Sequence, residues 1–168
     1  MRVRFGTSLA LVGALLLALA APAAAGGASR TYTTHLIGAL DGVFDTRAQG
    51  QAVFKVARDG VSVSYRLITA NIENVTMAHI HLAPTPGATG GIVVWLYPAA
   101  PPASLIPGRS DGVLAAGTFS AADFTGALAG QPLAALVAAL EDGRAYVNVH
   151  TSQHPAGEIR GNFWCPMP

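Results

Sequence analysis

Between Ala145 and Trp164 the chain reads A-Y-V-N-V-H-T-S-Q-H-P-A-G-E-I-R-G-N-F-W, and its periodicity leaves it few ways to fold. Val147 and Val149 fall on one side of an extended arm, with Tyr146, Asn148 and His150 on the other. In the second arm Ile159, Gly161 and Phe163 oppose Glu158, Arg160, Asn162 and Trp164. His-Pro and Ala-Gly between the arms stop a strand and reverse the chain. A hairpin pairing about residue 154 sets His150 opposite Glu158 and Asn148 opposite Arg160. An imidazole, a carboxylate, an amide and a guanidinium then share one surface, which is the first candidate for function.

The same extended pattern runs through the chain from Arg30. Strands are expected at Tyr32 to Leu40, Gln51 to Ala57, Val61 to Thr69, Met77 to Leu82, Ile92 to Tyr97 and Gly112 to Phe119, besides the two arms. Asp59-Gly60 is the hairpin signal between the second and third. Asn71 to Thr76, Pro84 to Gly91 and the Pro- and Ala-rich Pro98 to Pro107 read as loops. Ser120 to Asp123 has capping-box spacing, and Pro132 to Leu140 is the one helix, with Leu133, Leu136, Val137 and Leu140 as its apolar stripe. About eight strands, one short helix and no βαβ alternation predict an all-β fold: an antiparallel Greek-key sandwich or barrel.

Arg2 and Arg4 precede an apolar run from Leu9 to Ala21, followed by Pro22 and Ala23-Ala24-Ala25-Gly26. That is the pattern of a signal peptide over residues 1–25, with secreted, periplasmic or extracellular destination and no stable membrane insertion after cleavage. The remainder, residues 26–168, is of a size for a single β domain. Both basic residues of the leader leave with it, so eight basic residues face nine acidic ones. No basic stripe offers itself to nucleic acid. Cys165 is the sole cysteine, so no disulfide within the chain is available.

Met77-Ala78-His79-Ile80-His81-Leu82 is the second informative stretch. Two imidazoles at i and i+2 on a strand point the same way and can grip one ion. His79, His81 and His150 all take the parity opposite to the core, so packing in the core does not account for them. Imidazoles suit Cu(II), Cu(I) or Zn(II). His154, Met77 and Glu158 are candidate fourth groups. The alternative is that the histidines tie down neighbouring loops, with His150 bonded to Glu158. For Glu158 and Arg160 the plainer reading is a cross-strand ion pair, or an arginine bonded to loop carbonyls. Asn148 and Tyr146 are read as fixing loops. No nucleophile with a base and an orienting group is legible near His150.

A-H-I-H at Ala78 to His81, G-R-A-Y-V-N-V-H-T at Gly143 to Thr151 and G-E-I-R-G-N at Gly157 to Asn162 resemble the chordin-type domain, CHRD, over Tyr32 to Trp164. The resemblance implies an extracellular β domain and assigns no settled activity. A weaker likeness, to copper/zinc superoxide dismutase, sets His79, His81 and His150 in the place of copper ligands and Arg160 in that of an anion-guiding arginine. No histidine lies between His81 and His150, so only a copper site would remain. Three functions follow as expectations: a secreted CHRD binding module holding copper or zinc; a copper-only redox enzyme of dismutase type; and a structural or adhesive module. The partner is a metal ion or an extracellular protein.

Overall fold

The computed structural model describes residues 29–163; the expected leader, Trp164 and Cys165 lie outside them. Seven strands form one antiparallel sheet: β1 (Arg30–Ile37), β2 (Gln49–Val56), β3 (Ser62–Leu82), β4 (Gly91–Tyr97), β5 (Ile106–Ser120), β6 (Ala145–Thr151) and β7 (Ile159–Asn162). The strand order is β2-β1-β7-β6-β3-β4, and a second pairing of β2 with β3 closes it into a barrel, while β5 adds to β3. The fold is all-β with one short helix, α1 (Leu133–Glu141). Among the described residues no helix is long and apolar enough to cross a membrane.

The strand count differs from expectation for one reason. Val61 to Thr69 and Met77 to Leu82 belong to a single 21-residue strand, β3, and Asn71 to Thr76 is not a loop. Asn71 and Asn74 take left-handed conformations with φ of 57° and 53°, which asparagine tolerates better than most residues. Both are stitched to β5: the Asn71 N–H donates to Asp111 Oδ1 at 2.7 Å, and the Gly108 N–H donates to Asn74 Oδ1 at 2.8 Å. The strand therefore bends without ending. Its first half pairs with β2 and β5, its second with β4 and β6.

Burial follows the period of two. Leu36, Phe54, Val63, Leu67, Ile80, Val147, Val149 and Ile159 are buried in the core. Phe54 is its aromatic centre, with ring centroids 5.5 Å from Phe163, 6.2 Å from Tyr65 and 6.3 Å from Phe119. The capping box at Ser120 forms as expected, the Ser120 N–H donating to Asp123 Oδ2 at 2.8 Å. α1 adds Leu133, Leu136, Ala139 and Leu140 to the core, so Ala139 takes the place in the buried stripe expected of Val137.

One strand departs from half-burial. All seven residues of β6 are buried, so the polar side of the sheet is covered as well as the apolar one. The parity reading of the histidines is right, but the face they occupy is an enclosed layer rather than an open surface.

Candidate metal centre

The enclosed layer is the outer face of β4, β3, β6 and β7. In the β3–β6 ladder Met77 lies opposite His150, His79 opposite Asn148 and His81 opposite Tyr146. The β6–β7 ladder sets Asn148 opposite Arg160, the register expected from a hairpin centred on residue 154. Directly paired residues of an antiparallel ladder share a face. The three histidines therefore arrive on one side of the sheet from segments about seventy residues apart.

Their rings converge. One nitrogen from each of His79, His81 and His150 lies within 4.8 Å of the other two. His79 Nδ1 and His150 Nε2 are 3.2 Å apart, near the ~3.4 Å between two ligands on a tetrahedral ion with metal–nitrogen bonds of about 2.1 Å. His79 is fully buried, and His81 and His150 are 9% and 6% exposed.

Backbone carbonyls fix two of the tautomers. His81 Nδ1 is 3.0 Å from Gly90 O, and His150 Nδ1 is 3.0 Å from Pro155 O. A carbonyl only accepts, so each Nδ1 carries the proton and each Nε2 presents a lone pair. This is the outer hydrogen bond by which metal-binding histidines are oriented. It also means that tying down loops and presenting ligand atoms are compatible: His81 holds the 84–90 loop through Gly90 and keeps Nε2 free.

Four buried side-chain polar atoms lack a partner among the described residues, and three of them are here: His79 Nε2, His81 Nε2 and Asn148 Oδ1. Each such atom costs about 1–3 kcal/mol when left unsatisfied, so their concentration in one place is a departure from ordinary packing. Burial is also the leading cause of depressed basicity. It lowers His79 to about 3, with help from the His150 and His81 imidazoles. It lowers His81 to about 4 against the opposing bond to Gly90, and it lowers His150 as well. All three rings are thus neutral at pH 7, the form that binds metal.

A pH dependence follows. An unfolded chain protonates these imidazoles near the ordinary ~6.5, whereas the folded one resists until about 4 and then 3 for His81 and His79. The stabilising difference is complete above about pH 6.5 and is lost as the pH falls towards those values, because the unfolded state then binds more protons. Metal-free protein is expected to show a lower urea midpoint at pH 5 than at pH 7.5, checked by denaturation in each buffer; equal midpoints would contradict the burial of neutral rings.

Aromatic and cationic neighbours pack the cluster. The Trp95 ring meets His79 edge-to-face at 4.3 Å, and Tyr146 stacks on His81 at 4.8 Å with planes 10° apart. The Arg160 guanidinium lies 3.5 Å from the centre of the Tyr146 ring. Tyr146 Oη accepts from the Gly90 N–H, and Arg160 donates to Ala88 O and Asn162 Oδ1. Loop 84–90 is therefore the roof, pinned by His81, Tyr146 and Arg160.

Several expectations are corrected. His150 does not bond Glu158, and Arg160 forms no ion pair with it. Glu158 instead accepts from Thr46 Oγ1 at 2.5 Å and Thr151 Oγ1 at 2.7 Å. Gly157, at φ 132°, precedes it, and regular alternation does not carry through that residue. The side chain of His154 is not part of the three-histidine cluster; with Asp45, Glu73 and Glu158 it lines a separate cleft of about 260 Å³. Met77 is half-buried on the histidine face. Trp95 and Asp41 escaped the sequence reading, since each reaches the site only through pairing between distant segments.

A family model for the CHRD domain matches residues 32–163, which takes in every residue of this layer. The chain belongs to the CHRD family. No curated protein and no solved structure matches it, and the comparisons lend the dismutase resemblance no support. The three histidines of this CHRD domain lie on β3 and β6, both within the match.

Proposed function

We propose that this CHRD protein is a secreted binding module that holds one metal ion, copper in preference to zinc, on His79, His81 and His150. The observation that carries the reading is the convergence of three buried, neutral imidazoles, two of them with Nδ1–H committed to a carbonyl and Nε2 facing inward. The protein supplies preorganisation: the rings are held by backbone bonds and aromatic packing before any ion arrives, so little ordering cost remains on binding. Met77, opposite His150 on the same face, offers a thioether, a soft donor that favours copper. Export is supported by the charged, apolar and small-residue succession at the start of the chain.

Arg160 favours binding over catalysis as the plainer role. Arg160 is 4% exposed, and its guanidinium is engaged by Ala88, Asn162 and the Tyr146 ring, so it acts as a clamp on the roof. The test is titration of metal-stripped protein with Cu(II) and with Zn(II) against a competing chelator. One equivalent of tightly held copper per chain is expected, with zinc weaker. Failure to take up either ion stoichiometrically would leave the histidines with a structural role alone.

A further inference from the structure

At the end of β1, Ile37 lies opposite Arg160 of β7, and the chain then makes a 3-10 turn over Gly38–Asp41. The turn is tight: a Cβ at Gly38 would overlap the Thr46 methyl and the Val43 carbonyl. Gly42, at φ 82°, closes it, and the Val43 N–H donates to Gly38 O at 2.9 Å. This delivers the half-buried Asp41 carboxylate to the histidine layer, where Asn148 Nδ2 donates to Asp41 Oδ2 at 2.5 Å. Asn148 is 2% exposed and is the ladder partner of His79. Gly157 backs the pair, since a Cβ there would overlap both the Asp41 carboxylate and the Asn148 amide.

Among the described residues no cationic side chain pairs with Asp41. The ion pairs among the described residues are Arg30–Glu141, Arg109–Asp111 and Arg144–Asp142. The other buried carboxylate nearby, Glu158, is committed to two threonine hydroxyls. The layer otherwise contains neutral imidazoles, an amide, aromatic rings and the Arg160 guanidinium. An ion added there meets one positive charge already in place and one negative charge, on Asp41, to offset it.

We propose that Asp41 is the counter-charge of the three-histidine site, an anion held one amide away from the ligands that biases the site towards a divalent ion over a monovalent one. This rests on the metal-binding reading and adds to it which oxidation state the site prefers. The attraction between Asp41 and the ion is proportional to the ion's charge. Removing the carboxylate charge therefore lowers the logarithm of the affinity twice as much for Cu(II) or Zn(II) as for Cu(I) or Ag(I). A structural role has a different signature, because a displaced loop weakens every ion alike.

Asp41→Asn is nearly isosteric and keeps an oxygen that can accept from Asn148. If the variant loses about tenfold in Ag(I) affinity, it is expected to lose about a hundredfold for Cu(II). That tenfold change in ratio raises the Cu(II)/Cu(I) potential by about 59 mV. Asp41→Glu, which retains the charge, is expected to recover part of the Cu(II) loss. Competition titrations with Cu(II), Zn(II) and Ag(I), alongside a potential measured on the copper-loaded protein, decide the matter. Equal losses for all ions, or no loss, overturn the proposal. Wild-type protein that binds none of these ions overturns the metal reading on which it rests, a result distinguishable from either.

Discussion

His81→Ala is expected to lower copper affinity by more than a hundredfold while leaving the barrel folded. Loss of an outer hydrogen bond to a metal ligand costs 10–100-fold in affinity, and loss of the ligand itself exceeds that. The fold depends far less on His81, because loop 84–90 retains the bond from the Gly90 N–H to Tyr146 Oη and that from Arg160 to Ala88 O. The substitution removes one of two donors to the Gly90 carbonyl, which still accepts from the Tyr146 hydroxyl at 3.3 Å, and the ring stacked on Tyr146; the lost bond costs the metal-free protein about 0.5–1.5 kcal/mol. Thermal melts make the separation visible. A free-ion concentration about a hundred times the dissociation constant stabilises a folded protein by about 2.7 kcal/mol, and the resulting rise in melting temperature is expected in the wild type and absent in the variant. A variant that still gains the full metal-dependent stabilisation would remove His81 from the ligand set.

Phe54→Ala should show the reverse separation. Phe54 is 1% exposed and contacts the rings of Phe163, Tyr65 and Phe119, so truncation opens a cavity at the aromatic centre and costs about 3–5 kcal/mol. That is a large share of the roughly 5–15 kcal/mol that holds a domain together. Where the chain remains folded, one equivalent of metal is still expected, since Phe54 lies on the opposite side of the sheet from the histidines. Phe54→Leu, which retains more of the volume, provides a milder version in case the alanine variant does not fold. Denaturant midpoints and copper stoichiometry, measured on the same samples, check both halves. An unchanged midpoint would contradict the placement of Phe54, and loss of stoichiometry in a folded variant would contradict the independence of the two layers.

What the sequence discloses here is local. Alternation in Ala78 to Leu82 and in Ala145 to His150 puts His79, His81 and His150 on one side of their strands, and the turn at residue 154 sets the register that pairs Asn148 with Arg160. Both follow from a side-chain period of two. What it conceals is supplied by distant segments. Burial of the histidine face comes from the 84–90 loop, the turn at Asp41 and the carbonyl of Pro155, none of which periodicity within a strand can reveal. Asn71 and Asn74 carry turn chemistry, yet β5 recruits their backbone and side chains to bend β3 rather than end it. Glu158 lies just before β7, outside the ladder, and its carboxylate goes to Thr46 and Thr151, because alternation breaks at Gly157. Asp41-Gly42 reads as punctuation, and only the fold shows the carboxylate beside Asn148.

Stability and binding pull against each other in this layer. Three unpartnered polar atoms and three depressed imidazoles weaken the metal-free fold, whereas an ion held by one nitrogen of each ring would turn the neutrality of the imidazoles to advantage.

X-ray absorption on copper-loaded wild-type protein reports on the ligand set itself. One copper per chain with three imidazole nitrogens at about 2.0 Å is expected, a signal that His81→Ala reduces. A copper shell made of oxygen alone, with no imidazole scattering, would contradict it.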